Sequence, residues 1–255
     1  MVPAAVLAGG GDDPAFSRAY GVGGKWRVDI GGAPMIRWVL DALNSARAVS
    51  RTQVCGPAAQ LRAAGVSEPV LACDGGNLSA TLRAALEGAN EHKVLVIAAD
   101  VPLITGEALD SWVAACLGTD ADVCFPVVSW ESMQARIPGA RKTWYDLRDG
   151  RFTKGNMVLA TPSALLRRLS RIDRLYETRK RKQWARLMPG RFLTRMALGR
   201  LTLSEASRAL SAFTGCMVAA VPADPELAVD VDEVGDVAFV RSVLLSGSPC
   251  AAAVA

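Results

Sequence analysis

Val2-Pro3-Ala4-Ala5-Val6-Leu7-Ala8-Gly9-Gly10-Gly11 is the stretch whose reading decides the fold. It is an apolar run stopped by three consecutive glycines, and Asp12 and Asp13 follow. A buried strand that ends in glycine lets the chain turn sharply and brings backbone N–H groups close to a ligand. At the carboxyl end of a strand in an open α/β sheet, such a loop is a nucleotide-binding position. The same residues also fit a plain turn between strand and helix. Two other glycine motifs are excluded. A dinucleotide fingerprint needs a third glycine where the chain has Pro14. A Walker loop needs Ser or Thr after Gly-Lys, and Gly24-Lys25 is followed by Trp26.

Outward from this loop, strands and helices alternate. Pro14 to Gly24 is rich in small residues and reads as a mobile loop. Val28-Asp29-Ile30 leads into the turn Gly31-Gly32, and Pro34 opens a helix carrying Met35, Ile36, Val39, Leu40 and Leu43 on one face. Gln53 to Gly56 and Pro69 to Cys73 read as strands. A second glycine turn, Asp74 to Ser79, precedes a helix from Ala80 to Ala89. Lys93 to Ala99 is continuously apolar, as a strand covered on both faces would be, and it ends at Asp100-Val101-Pro102. Thr105 caps the next helix, to Leu117. Asp122 to Val128 is a strand, and Ser129 to Lys142, without a period, reads as a loop. Asp149-Gly150 marks a hairpin. Asn156 to Ala160 is a strand, and Pro162 starts a helix. Gly215 to Val221 reads as a strand, Leu227 to Asp232 as a last strand carrying two carboxylates, and Val237 to Leu245 as a helix. The alternation predicts an α/β fold with a mostly parallel sheet. One domain over residues 1–245 is expected, with a disordered tail at 246–255.

Residues 162–212 differ. They are helical by pattern and strongly basic, from Arg167 and Arg168 through Arg179, Lys180, Arg181 and Lys182 to Arg200. Trp184, Leu187, Met188, Phe192 and Met196 fall near helical spacing on one side. The plain reading is a solvated face around a helical core. The sharper one is a flap over an acceptor site, or peripheral contact with an anionic lipid surface. Thr202-Leu203-Ser204-Glu205 fits a capping box.

Composition narrows the classes. Of 255 residues, 51% are hydrophobic, enough for a sizeable core. A net charge of +4 gives no argument for a nucleic-acid partner. Six cysteines without C-x-x-C spacing and a single histidine, His92, argue against zinc and for a reducing compartment, so a cytoplasmic location is expected. No basic region precedes the opening apolar run, so no signal peptide is expected. No run of about 18 apolar residues predicts a membrane span.

Three features thus fall at sheet ends: the glycine loop, Asp100, and the pair Asp230 and Asp232. Carboxylates from distant strands beside a phosphate-facing loop are what a Mg²⁺-nucleotide site needs, because Mg²⁺ takes oxygen ligands from one or two carboxylates and from substrate phosphates. Asp100 also fits a turn cap before Pro102. The pair also fits a solvated strand end, and Asp232 also fits a cap on the last helix.

Leu7-Ala8-Gly9-Gly10, Lys25, Gly32-Ala33-Pro34-Met35-Ile36, Ala99-Asp100-Val101-Pro102-Leu103 and Asp230-Val231-Asp232 with Asp236 together resemble the MobA-like NTP transferase family. The family includes molybdenum-cofactor guanylyltransferases and sugar-phosphate or alditol-phosphate nucleotidyltransferases. The resemblance implies a three-layer α/β/α, Rossmann-like fold of the GT-A type. It also implies Mg²⁺-dependent transfer of a nucleotidyl group from an NTP to a phosphorylated or otherwise anionic small acceptor, with release of pyrophosphate. It assigns nucleotide contacts to Leu7, Ala8, Gly9, Gly10, Gly11, Lys25, Gly75, Gly76 and Ser79. Lys25 and Asp100 become catalytic, and Asp100 with Asp230 or Asp232 holds the metal. Gly155 and Asn156 face the acceptor. No organic cofactor is implied. The chain departs from the family pattern between Gly10 and Lys25, where the stretch is longer and the nearest arginine, Arg18, has a different spacing. The basic section at 162–212 marks a subgroup and disfavours molybdopterin as acceptor. Two other readings stay open: a GT-A glycosyltransferase using a nucleotide sugar, and a nucleotide-binding regulatory protein without turnover.

Overall fold

The structure is a computed structural model. It describes all residues except Asp12, 74–77, Gly88, Asn90, 181–189 and 247–255, and it leaves out the side chains of Leu78, Ser79 and residues 175–180.

The opening run forms β1 (Val2–Leu7) in the middle of the sheet. It pairs in parallel with β4 (Val49–Gly56) on one side and β6 (Val94–Ala98) on the other. Beyond β4, β5 (Val70–Ala72) continues the parallel half. The other half is mixed. There β10 (Met157–Ala160) runs antiparallel between β6 and β7 (Val123–Ser129). β7 pairs antiparallel with β9 (Gly150–Lys154) and parallel with β11 (Val218–Pro222). β8 (Tyr145–Leu147) closes the edge against β9 through the Asp149-Gly150 turn. A separate two-stranded piece, β2 (Asp29–Ile30) and β3 (Ala33–Pro34), turns through Gly31 and Gly32 at φ of 66° and 97°. That left-handed backbone is open to glycine at little cost.

Side chains alternate across a strand, so β1 feeds two cores. Ala4 and Val6 pack with Ile36, Val39 and Leu40 of α2 (Met35–Ser45) and with Leu109 and Trp112 of α5 (Gly106–Leu117). Ala5 faces the opposite layer, with Leu82 and Leu86 of α4 (Leu78–Leu86), Leu165 of α7 (Pro162–Leu166) and Leu169 of α8 (Leu169–Lys180). The three layers are therefore helix, sheet, helix. A third cluster lies at one end, where Phe16, Met133, Val231 and Val237 meet. It is built from α1 (Pro14–Tyr20), α6 (Trp130–Arg136) and α11 (Val234–Leu245).

Three expectations are corrected. Pro14 to Gly24 is not a plain loop, because α1 occupies its first part. Asp13 caps that helix, accepting from Ala15 N and Phe16 N, Pro14 sits in the first turn where no N–H is needed, and left-handed Gly21 ends it. Ser129 to Lys142 is not all loop either, since the Ser129 hydroxyl caps α6. Leu227 to Asp232 is not a strand. Pro225–Ala228 form a 3₁₀ turn, and the extended residues after it bond through Val231 N to Asp100 O at 2.9 Å without joining a ladder.

The basic section is helical where it is described, in α8, α9 (Gly190–Ala197) and α10 (Leu203–Thr214), and the expected Thr202–Glu205 capping box is present. Phe192 and Met196 of α9 are half-buried. Trp184, Leu187, Met188, Arg181 and Lys182 lie outside the described residues, as does the tail beyond Ser246.

Candidate active site

The site gathers at the carboxyl ends of β1 and β6. After β1, Ala8 is buried and its N–H donates to Cys55 O at 2.8 Å. Gly9 is pressed against α4: a Cβ there would lie 3.0 Å from Thr81 Oγ1. Gly10 and Gly11 are exposed, and a Cβ on either would meet nothing within 4 Å. Among the described residues, none accepts a hydrogen bond from the N–H groups of Gly9, Gly10 or Gly11. Donors left open at a strand end are suited to an anion. Gly75 and Gly76, expected beside this loop, lie outside the described residues, as does the Ser79 side chain, although α4 starts at Leu78 and brings Thr81 onto Gly9.

A one-turn 3₁₀ helix, Lys25–Arg27, then delivers Lys25. Its Trp26 is buried in the α2 core and anchors the turn. Lys25 Nζ lies 2.5 Å from Asp100 Oδ2, 3.2 Å from Asp232 Oδ1 and 3.1 Å from Val231 O. Burial alone would lower the Lys25 pKa, but Asp100 and then Asp232 outweigh it and hold the ammonium well above its usual range. Arg18 lies exposed on α1 and Arg27 is half-buried.

Asp100 follows β6, whose end is fixed by Ala99 N donating to Leu7 O at 3.1 Å. Its side chain is 12% exposed, and its Oδ1 is buried with no hydrogen-bond partner among the described residues. Burial pushes this carboxyl up, Lys25 pulls it down, and Asp230 and Asp232 add to the rise. Asp232 is the exposed member, at 68%. Burial works against its charge too, yet Lys25 outweighs that and holds its pKa below the ordinary value. Asp232 does not cap the last helix. Glu233 is the cap of α11, and Asp236 accepts from Glu233 N at 2.7 Å and Asp232 N at 3.0 Å.

Asp230 sits deeper. One oxygen pairs with Lys142 Nζ and the other accepts from Asn156 Nδ2. Asn156 Oδ1 in turn accepts from Lys154 Nζ at 3.2 Å. A cleft of about 260 Å³ opens here, lined by Lys142, Tyr145, Lys154, Asn156, Asp230 and Asp232 among others. Gly155 is not on its lining. It is buried where a Cβ would come 2.3 Å from Leu227 O, so it sets the position of Asn156 by close backbone contact. Lys142 and Lys154 escape sequence reading. Lys142 lies in a stretch without periodicity, and Lys154 ends a short hairpin strand; only the fold brings both into one cleft with Asp230.

The donor set fits a hard divalent ion. Among the described residues no three His, Cys, Asp or Glu side chains form a ready cage. Mg²⁺ does not require one, because it takes one or two carboxylates with water and substrate phosphates. Asp100 offers an unpartnered buried oxygen, and Asp232 an exposed carboxylate on the same ammonium.

Comparison with known proteins now bears on this geometry. A model of the MobA-like NTP transferase domain matches residues 4–194. A hypothetical transferase from Thermus thermophilus superposes with a TM-score of 0.82 at 32% identity, over 93% of this chain and 100% of that one. A nucleotidyl transferase from Methanothermobacter gives a TM-score of 0.57 at 20% identity, over 96% and 98%. CMP:2-keto-3-deoxy-manno-octonic acid synthetase in complex with CTP gives 0.59 at 13% identity, over 96% and 99%. The last two share the fold. No curated protein matches the chain. Among the described residues, no helix is long and apolar enough to cross a membrane.

Proposed function

Because the chain belongs to the MobA-like NTP transferase family, we propose that it moves a nucleotidyl group from an NTP to a small anionic acceptor and releases pyrophosphate. One observation carries this reading: the Lys25 ammonium is clamped between Asp100 and Asp232 beside a glycine loop whose N–H groups find no acceptor among the described residues. An acceptor oxygen forms a bond to the α-phosphorus, and the bond from that phosphorus to the bridging oxygen breaks. The electron pair leaves with pyrophosphate. Such chemistry leaves the protein mainly positioning and charge neutralisation.

In this reading the Gly9 to Gly11 loop, with Leu7 and Ala8, cradles the phosphates and base. Gly75, Gly76 and Ser79 are assigned to base or ribose. Lys25 neutralises charge that builds on the leaving pyrophosphate. Asp100 with Asp232 would hold Mg²⁺, which supplies further charge neutralisation at the phosphates when bound. Asn156, placed by Gly155, faces the acceptor. CTP, the ligand of the synthetase above, is the first nucleotide to try.

A glycosyltransferase reading is weaker, because the D-x-D pair such enzymes use would need a carboxylate at position 102, which is the buried Pro102. The test is pyrophosphate release from each NTP with phosphorylated sugars, polyols and other anionic acceptors. Release that needs both NTP and acceptor supports nucleotidyl transfer. Release of a nucleoside diphosphate from a nucleotide sugar supports the second reading. Tight NTP binding without turnover across the panel supports a regulatory protein.

A further inference from the structure

The cleft holds a second set of cations that the Lys25 clamp does not use. Asp230 has both oxygens committed, one to Lys142 and one to Asn156. The Lys142 and Asp230 side chains are 8% and 6% exposed. A carboxylate buried this far is stable only with its partners in place. Those partners come from two separate segments, the loop after α6 and the residue before β10. Asn156 is further tied to Lys154. Lys142 and Asn156 therefore meet at Asp230 on one wall, with Lys154 beside Asn156 and the carboxylates of Asp232, Glu233 and Asp236 elsewhere on the lining. The Lys142 ammonium carries three N–H donors and the Asn156 amide two, so the bonds to Asp230 use only part of what these two groups can donate. Tyr145 and Arg141 add a hydroxyl and a guanidinium at the rim.

We propose that this wall is a binding site for an oxyanion, a phosphomonoester or a carboxylate, carried by the acceptor. Lys142 contacts the anion. Asp230 is a positioning residue that aims Lys142 and Asn156, and it is not a metal ligand. Turning Asp230 to a metal would strip both partners at once, whereas Asp232 is exposed and its ion pair is with the Lys25 ammonium of the clamp. Charge-assisted hydrogen bonds from ammonium to oxyanion are the strong kind, and they select an anion over a neutral polyol. The acceptor's part in the reaction rests on the transfer reading above; anion binding at Lys142 does not.

The experiment is calorimetric titration of the full chain with inorganic phosphate and, in a second arm, with malonate, which distinguishes the two sources of the anion. Mn²⁺ binding in the presence of CTP is followed in parallel by electron paramagnetic resonance. Wild type binds at least one anion. Lys142→Met and Asp230→Asn each weaken it at least ~10-fold, the scale of losing a charge-assisted contact. Lys142→Arg restores part of the binding. The Asp230→Asn protein still binds Mn²⁺, with a shift set by the charge lost beside Asp100 and Asp232, while Asp100→Asn loses it. Since each single change leaves a buried charge alone, the Lys142→Met/Asp230→Asn double variant serves as a folding control; it keeps Mn²⁺ and loses the anion. Equal anion binding by wild type and Lys142→Met overturns the proposal, and so does a failure of wild type to bind either anion. Loss of Mn²⁺ by Asp230→Asn as complete as by Asp100→Asn overturns the positioning role. Anion binding at Lys142 without any pyrophosphate release would sink the transfer reading and leave this site standing.

Discussion

Lys25 Nζ stands 2.5 Å from Asp100 Oδ2, and the same ammonium reaches Asp232 at 3.2 Å. Three distant segments are thus locked at one point: the turn after the glycine loop, the end of β6, and the extended residues before α11. Val231 reinforces the lock twice, accepting from Lys25 Nζ through its carbonyl and donating to Asp100 O through its amide.

Lys25→Ala should lower turnover by about two orders of magnitude or more, the scale of losing one well-placed charge stabiliser. The fold should survive, because burial already pushes the Asp100 carboxyl up and it can take a proton when its partner goes. Steady-state kinetics and a melting curve check the two halves. An unchanged rate would move the phosphate role to Arg18 or Arg27.

Asp100→Asn and Asp232→Asn should each abolish turnover and remove most of the thermal stabilisation that Mg²⁺ gives when NTP is present. A ligand that binds only the folded state raises the melting temperature, and the rise disappears with the site. Melting curves with and without Mg²⁺-NTP read this directly. A full metal-dependent shift in the Asp100 variant would remove that residue from the metal site.

The sheet and the glycine loop were legible because β1 and β6 are unbroken apolar runs with small or acidic residues at their ends. Asp100 was legible as a carboxylate at the end of a buried strand, Lys25 came from family resemblance, and the structure brings them into contact. The helices α1 and α6 were not legible. Their signals were single capping residues, Asp13 with Pro14 and Ser129, inside stretches whose apolar spacing is too short to show a period. The alternation of apolar and acidic residues at Leu227 to Asp232 looked like a strand. Pro225 breaks the approach, and Val231 N makes a sheet-like bond to Asp100 without a ladder around it. Lys142 carried no local signal, since its meaning depends on Asp230, which only tertiary folding supplies.

Two glycines should respond in opposite ways. Gly155→Ala places a methyl 2.3 Å from Leu227 O and 2.7 Å from Pro126 Cγ, and should destabilise by about 2 kcal/mol, the usual scale of overpacking. Gly10→Ala points into open space and should change stability by less than ~0.5 kcal/mol, while weakening NTP binding. Urea denaturation and NTP titration on both variants test this. A stable Gly155 variant would contradict the close approach that places Asn156.

Asp110 gives a pH signature away from the site. It accepts from Ala48 N at 2.7 Å and pairs with Arg47 Nε at 3.0 Å. Burial opposes its charge, but the Ala48 amide and Arg47 outweigh that and hold the carboxyl below its usual range. A group with a depressed folded pKa binds fewer protons in the native state, so its contribution is present above the unfolded value and fades as pH falls. Asp110→Asn should cost ~1 kcal/mol near neutral pH. The gap from wild type should hold above about pH 4 and close below it. Denaturation midpoints at both ends of that window decide it; a gap that persists in acid would tie the loss to packing.

The most direct test of nucleotidyl transfer is pyrophosphate release by wild type and Asp100→Asn, side by side, with Mg²⁺, each NTP in turn and a panel of anionic acceptors. The account predicts release by wild type that depends on acceptor, on one preferred NTP and on Mg²⁺, and none by the variant. Wild-type-like release by the Asp100→Asn protein, or no release by wild type with any pair, would contradict it.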